Sequence, residues 1–267
     1  MLQYNHFYMQ AGASDIMSGM NSSKNAVLAA LQKEILSLQG MAKTPGAPAV
    51  DMGLGPIENA FPGHSFPMAA VHEFVSYSSE DAAATNGFIS GVLSRFMQNG
   101  GACLWVSTSR TIYPPALKLF GIEPDRVIFI DLMWNREALW VIEEALKCAS
   151  LAAVVGECRD LDFTQSRRLQ LAVEKSKVPG FIHRCYPKTE NTVACATRWK
   201  IKPVMSRAED GLPGVGFPCW EVALTKVRNG YPGVWTLYWK QGQFYIARPD
   251  AAPVAVPGVL PKTGSYG

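Results

Sequence analysis

The stretch that most constrains this chain is residues 71–93, VHEFVSYSSEDAAATNGFISGVL. Val71, Phe74 and Val75 make a short buried strand, a turn of small residues follows, and Phe88, Ile89 and Val92 then share one side of a helix. A strand that feeds a helix through such a turn is where nucleotide-binding α/β proteins place their phosphate loop. That loop needs glycines, so that backbone N–H groups reach the phosphates, and then Lys and Ser or Thr for charge and magnesium. Here the turn reads SYSSEDAAAT, with no glycine and no lysine, and it sets Glu80 and Asp81 where a phosphate would lie. Two carboxylates suit the positive end of a helix but repel an anion placed there. The frame of a nucleotide site is present and its chemistry is missing.

The rest of the chain extends that frame. Apolar runs at residues 103–106 (CLWV), 127–131 (VIFID), 151–157 (LAAVVGE) and 180–183 (GFIH) alternate with helical patterns at 114–120, 136–148 and 166–176. Strand, helix, strand with short connections predicts a parallel sheet covered on both faces. Beyond residue 184 the pattern becomes antiparallel, with strands at 192–203, 220–228, 233–240 and 244–248. Asn229-Gly230 and Gln241-Gly242 are the hairpin turns between the last of them, and residues 207–216 are an exposed connection. The expected fold is α/β: a mostly parallel sheet flanked by helices, with an antiparallel C-terminal extension.

Outside this core of residues 57–248, residues 22–40 read as a helix with an apolar seam at Leu28, Leu31, Ile35 and Leu38. Residues 41–56 are a Pro- and Gly-rich linker, so the helix either packs on its own domain or docks on a neighbour. Residues 1–21 and the Pro-rich tail 249–267 read as disordered, and Met20 is an alternative initiator. The chain has 267 residues, 18% of them charged, with a formal net charge of +3, a balance that permits nucleic-acid contact without arguing for it. Its six cysteines form no C-x-x-C pair, so no metal site is expected. Cys103 and Cys148, with apolar neighbours, read as core residues of a reduced cytoplasmic protein. No run reaches the roughly 18 apolar residues that a membrane span needs, and residues 1–20 lack the charged start and apolar centre of a signal peptide.

The order of these pieces resembles the core of RecA-type ATPases. EFVSYSSEDAAAT occupies the Walker A position, AVVGEC the Walker B position, and the N-terminal helix that of the element packing on the next protomer. More specifically, SRTIYPPALKLFGIEPDRVIFIDL, SRRLQLAVEKS, ACATRWKI, DGLPGVGFPCW and KVRNGYPGVW resemble the ImuA family, a likeness that spans residues 22–246. The resemblance implies a degenerate nucleotide loop at Ser78, Ser79, Glu80, Asp81, Ala82, Ala83, Ala84 and Thr85. The lysine position falls on Ala82 or a neighbouring alanine, the water-orienting glutamate position on Ser109, and the residual Walker B acid on Glu157. Without the lysine that cradles the β- and γ-phosphates, ATP hydrolysis and a bound cofactor are not expected. An ATPase with an unorthodox loop would need backbone and Glu157–magnesium contacts in its place.

The same resemblance implies a non-catalytic role in SOS-induced mutagenesis. The chain would support error-prone translesion synthesis with an ImuB-like Y-family polymerase homologue, and would contact RecA, a second copy of itself or single-stranded DNA. A SulA-like division inhibitor is the remaining alternative, because SulA-type proteins also resemble degenerate RecA-like folds. Candidate DNA-binding residues are Arg110, Arg167, Arg168, Arg198, Lys200, Lys226 and Arg228, with Trp199, Trp220, Trp235 and Trp239 either stacking on bases or filling the core. Strand alternation in TRWKI and VWTLYW favours the core. Ser107, Ser109 and His183 at strand ends lack the G-x-S-x-G elbow of a hydrolase, and His183 reads as a hydrogen-bonded strand-end residue.

Overall fold

The computed structural model describes residues 52–98, 100–207 and 216–247, together with the helical residues Val27, Ala30 and Leu31. Leu31 is exposed, and Leu28, Ile35 and Leu38 of the predicted seam lie outside the described residues, as do segments 1–21 and 249–267. Five parallel strands alternate with helices: β1 (Val71–Ser76), α1 (Ser79–Met97), β2 (Ala102–Ser107), β3 (Val127–Asp131), α2 (Asn135–Leu146), β4 (Leu151–Cys158), α3 (Phe163–Ser176) and β5 (Gly180–Cys185). Between β2 and β3 lies a 3-10 helix, Pro114–Phe120, which two prolines start and Gly121, at φ +75°, ends. The extension consists of β6 (Thr197–Arg207), β7 (Phe217–Val227), β8 (Gly233–Lys240) and β9 (Gln243–Ile246).

All nine strands form one sheet in the order β3-β2-β4-β5-β1-β6-β7-β8-β9. It is parallel from β3 through β6 and antiparallel from β6 to β9. The two faces carry separate cores. On one, Phe74, Trp105, Phe181 and Trp199 pack against Phe88, Ile89 and Leu93 of α1. On the other, Val71, Val154 and Ile182 pack against Leu139 and Ile142 of α2 and Leu169 and Val173 of α3. Strands buried on both faces require continuous apolar runs, which is why β2 and β4 read so plainly in the sequence. Glycines set two close approaches: a Cβ at Gly91 of α1 would stand 2.5 Å from Phe244 Cζ, and one at Gly156 of β4 would stand 2.2 Å from Ile142 Cδ1.

Several boundaries differ from the sequence reading. Met52 and Leu54 are fully buried, so the core begins inside the predicted linker. The third helix starts at Phe163 rather than Ser166 because Asp162 and Gln165 form a capping box, with Asp162 Oδ1 accepting from Gln165 N at 2.7 Å. Strand β6 starts at Thr197 rather than 192, because the chain must first return across β1: β5 and β6 flank it on either side, both parallel to it. Cys148 is exposed just beyond the end of α2, whereas Cys103 is buried. The hairpin turn at Gln241 and Gly242 has φ +49° and +75°, as the primed turns of tight hairpins require. Among the described residues no helix is long and apolar enough to cross a membrane.

Candidate functional site

The turn between β1 and α1 lies at the C-terminal edge of the parallel strands, where ligands bind in open α/β sheets. Ser78 caps α1, its Oγ accepting from Asp81 N at 3.1 Å. Glu80 is fully exposed, and its carboxyl is held below the ordinary range by its own backbone N–H and by the hydroxyls of Ser78 and Ser79. Ala82 and Ala84 are buried, Ala83 faces outward, and Thr85 is buried against Ser76, with Oγ1 to Oγ at 2.9 Å. The first turn of α1 thus offers an anion two carboxylates and no cation.

Beside this turn, Glu157 of β4 is fully buried and its two oxygens are fully engaged. Oε1 accepts from Trp105 Nε1 at 3.1 Å and Thr111 Oγ1 at 2.8 Å; Oε2 accepts from Ser107 Oγ at 2.7 Å and Ser109 Oγ at 3.2 Å. A carboxylate only accepts, so the Thr111 hydroxyl proton points at Glu157 and its oxygen accepts from Asn86 Nδ2 at 2.9 Å. Asn86 Oδ1 therefore faces His183 Nδ1 at 3.0 Å, which fixes the proton on Nδ1 and leaves Nε2 to accept from Ser76 Oγ at 2.9 Å. Ser76 in turn accepts from Thr85. The chain Thr85–Ser76–His183–Asn86–Thr111–Glu157 is donor-to-acceptor in one sense throughout. Burial lowers the His183 pKa to about 4 against the opposing pull of Glu157, so the ring is neutral at pH 7.

A nucleoside triphosphate with magnesium does not fit these groups. The loop has no lysine, its two acids face the phosphate position, and the one acid placed to reach a metal already accepts from four donors of its own chain. Among the described residues no group of three or more His, Cys, Asp or Glu is placed to hold a metal ion.

The candidate DNA-binding cations do not form one surface. Arg198 donates Nε to the buried Glu73 at 2.6 Å and Nη2 to the Asn191 carbonyl at 2.6 Å. Lys226 Nζ donates to the Val193 carbonyl and Arg228 Nη2 to that of Ala194, at 2.6 and 2.7 Å. Arg184, buried on the other oxygen of Glu73 at 2.9 Å, reaches the Thr189 carbonyl. These four cations fasten the helix-free return between β5 and β6 across β1. Lys200 pairs with Glu190 at 2.5 Å, and Tyr77 donates to the same carboxylate. Elsewhere Arg110 pairs with Asp131 at 2.5 Å, Arg168 pairs with Glu143 at 2.6 Å, and Arg167 is exposed on α3. Trp199, Trp220 and Trp239 are core residues and Trp235 packs half-buried against them.

Sequence reasoning placed Glu157, Ser109 and His183 at strand ends but missed Ser76, Asn86, Thr111 and Trp105 as their partners, and Glu73 and Arg184 as the anchor of Arg198. The available signal was a polar residue at or next to the C-terminal end of a strand, which Ser76, Ser107 and Glu157 each are.

Comparison with known proteins places this arrangement. No protein-family model matches the chain. The protein ImuA of Caulobacter vibrioides, in each of two strains, is 32% identical over 212 residues, covering 75% of this chain and 86% of the relative. The chain belongs to the ImuA family. Among solved structures, the RadB recombinase matches with a TM-score of 0.50 at 16% identity, over 73% of this chain and 98% of that one. The ImuA-family chain therefore has the RecA-like fold that RadB shares, with Glu157 and the β1–α1 turn at the strand ends of that fold.

Proposed function

We propose that this ImuA-family chain is a non-catalytic accessory protein in SOS-induced mutagenesis. It supports error-prone translesion DNA synthesis by contacting an ImuB-like Y-family polymerase homologue. The observation that carries the reading is Glu157: the acid at the Walker B position is closed off by Trp105, Ser107, Ser109 and Thr111, while the adjacent turn lacks a cation. A RecA-like frame whose nucleotide chemistry is replaced by internal hydrogen bonds acts through its surfaces. Single-stranded DNA is a subordinate ligand, because Arg198, Lys226 and Arg228 already serve backbone carbonyls.

The test combines two measurements on the full chain. In a pull-down, the Y-family homologue is retained equally with and without ATP–magnesium. In a thermal melt, ATP–magnesium at millimolar concentration leaves the midpoint unchanged. A melting temperature raised by several degrees, or partner binding that requires ATP, refutes the non-catalytic reading. Anisotropy of labelled single-stranded DNA across a salt series measures the subordinate contact, which weakens steeply with salt if phosphates are bound.

A further inference from the structure

A groove of about 520 Å³ opens beside the Glu157 chain, between α1, the 3-10 helix Pro114–Phe120 and the adjoining ends of β6 and β7. Its size is that of sites which take a small organic group or the side chains of a bound segment. The walls are apolar: Leu117, Phe120 and Trp220 form the floor, while Tyr113, 69% exposed, and Val204, 39% exposed, stand at the mouth. Gly87 keeps the groove open on the α1 side. A Cβ there would lie 3.1 Å from Trp220 Cζ2 and 3.5 Å from Phe120 Cζ, so any larger residue would fill the gap between helix and rings.

The polar part of the lining is sparse: beside Ser90 of α1 and Ser206 of β6, it consists of Asn86, Thr111 and Glu80. Asn86, 3% exposed, and Thr111 are both held from behind by the chain that ends on Glu157, so this wall is preorganised. At the rim stands Glu80, fully exposed and ionised at neutral pH. Among the described residues the lining contains no Lys, Arg or His. A groove with an apolar floor, an acidic rim and no cation disfavours a nucleotide or a DNA strand, whose phosphates Glu80 repels. It suits an apolar side chain with a positive charge next to it.

We propose that this groove is a peptide-docking site for a partner polypeptide. The docking segment inserts an aromatic or branched aliphatic side chain between Tyr113 and Trp220 and sets a Lys or Arg against Glu80. The inference rests on the partner-contact reading above and names the surface and the chemistry of that contact. Desolvated aromatic anchors of this kind carry most of the affinity of an interface, and the rim charge contributes selectivity and salt dependence. The Glu157 chain gains a role from this geometry: it holds Asn86 and Thr111 in place as one wall of the groove.

The experiment uses the full chain and a set of overlapping peptides of about 15 residues spanning the Y-family homologue, each also made with its Lys and Arg replaced by Glu. Two variants at exposed positions leave the core intact: Ala83→Trp fills the groove from α1, and Glu80→Lys reverses the rim. Peptides that bind are expected to carry an aromatic or branched aliphatic residue beside Lys or Arg. Ala83→Trp weakens them about tenfold or more and Glu80→Lys about threefold, while Glu80→Lys favours the charge-swapped set. Equal binding of basic and acidic peptides by the unaltered chain overturns the proposal, as does binding that Ala83→Trp leaves unchanged. The intact homologue separates the two levels. If it binds the Ala83→Trp variant normally, the groove is excluded and the partner reading stands. If it does not bind the unaltered chain, both fall.

Discussion

Replacing Glu157 by glutamine tests whether this acid is a structural acceptor or a site held ready for a metal. The carboxylate takes four donors, two on each oxygen. Trp105 Nε1–H cannot reverse its role, so the amide oxygen takes the Oε1 position and the NH2 group faces Ser107 and Ser109. Ser107 Oγ already accepts from Arg110 N at 2.5 Å and Ser109 N at 3.3 Å, so the new donor meets an occupied acceptor. Hydrogen bonds to a charged acceptor contribute roughly 1.5–3 kcal/mol each and neutral ones about 1. Neutralising the two that survive therefore costs about 1 kcal/mol apiece, and a buried unsatisfied donor adds roughly 1–3 kcal/mol. The sum is about 3–5 kcal/mol, and with a urea slope of roughly 2–3 kcal/mol/M the unfolding midpoint falls by about 1–2.5 M. Urea titration followed by far-UV circular dichroism and by tryptophan emission measures it. A midpoint that holds or rises refutes the reasoning, because a carboxylate kept for a metal is relieved of repulsion by neutralisation, not deprived of support.

Mild acid should destabilise the protein through two buried histidines. Burial lowers the pKa of His183 to about 4 and of His72 to about 3, so between those values and about 6.5 the unfolded chain binds more protons than the folded one. Stability is therefore complete above about pH 6.5 and declines below it, by about 2 kcal/mol per ring at pH 5, as urea midpoints at pH 7.5, 6 and 5 should record. Glu73→Gln removes the charge that Arg184 and Arg198 share in the interior, and should cost about 3–5 kcal/mol and lower the melting temperature by about 10 °C. Gly91→Ala drives a methyl group into Phe244 and Trp239 and should cost about 1–3 kcal/mol, read as a lower urea midpoint with an unchanged slope.

The parallel half of the fold was legible because a strand buried on both faces must be apolar along its whole length, as CLWV and AAVV are. Where the chain is held by long-range polar contacts, the sequence is silent. Arg198, Lys226 and Arg228 look like a phosphate-binding set because nothing local pairs them. Their acceptors are carbonyls of residues 191, 193 and 194, which come alongside only once the return from β5 has crossed β1. Glu157 was legible as the acid next to the end of β4. Its donors come from β2 and the segment beyond it, and the rest of the chain from α1, β1 and β5, so no spacing rule could assemble them. The same limit applied to Met52 and Leu54: a Pro- and Gly-rich composition marks irregular backbone, and irregular backbone can still be buried.

The sheet order also sets a timetable for synthesis. Strand β1 comes first along the chain but lies in the middle of the sheet, and both its neighbours, β5 and β6, come late. Ser76 meets His183 across 107 residues of chain, so on a ribosome adding roughly 5–20 residues per second the nascent β1 and α1 wait about 5–20 s for that neighbour. During that interval both edges of β1 are unpaired and Phe88 of α1 has no completed sheet to cover. Rapid bursts of synthesis would therefore load chaperones in proportion to this delay, and slowing translation between residues 76 and 183 should lower soluble yield more than slowing it after residue 207.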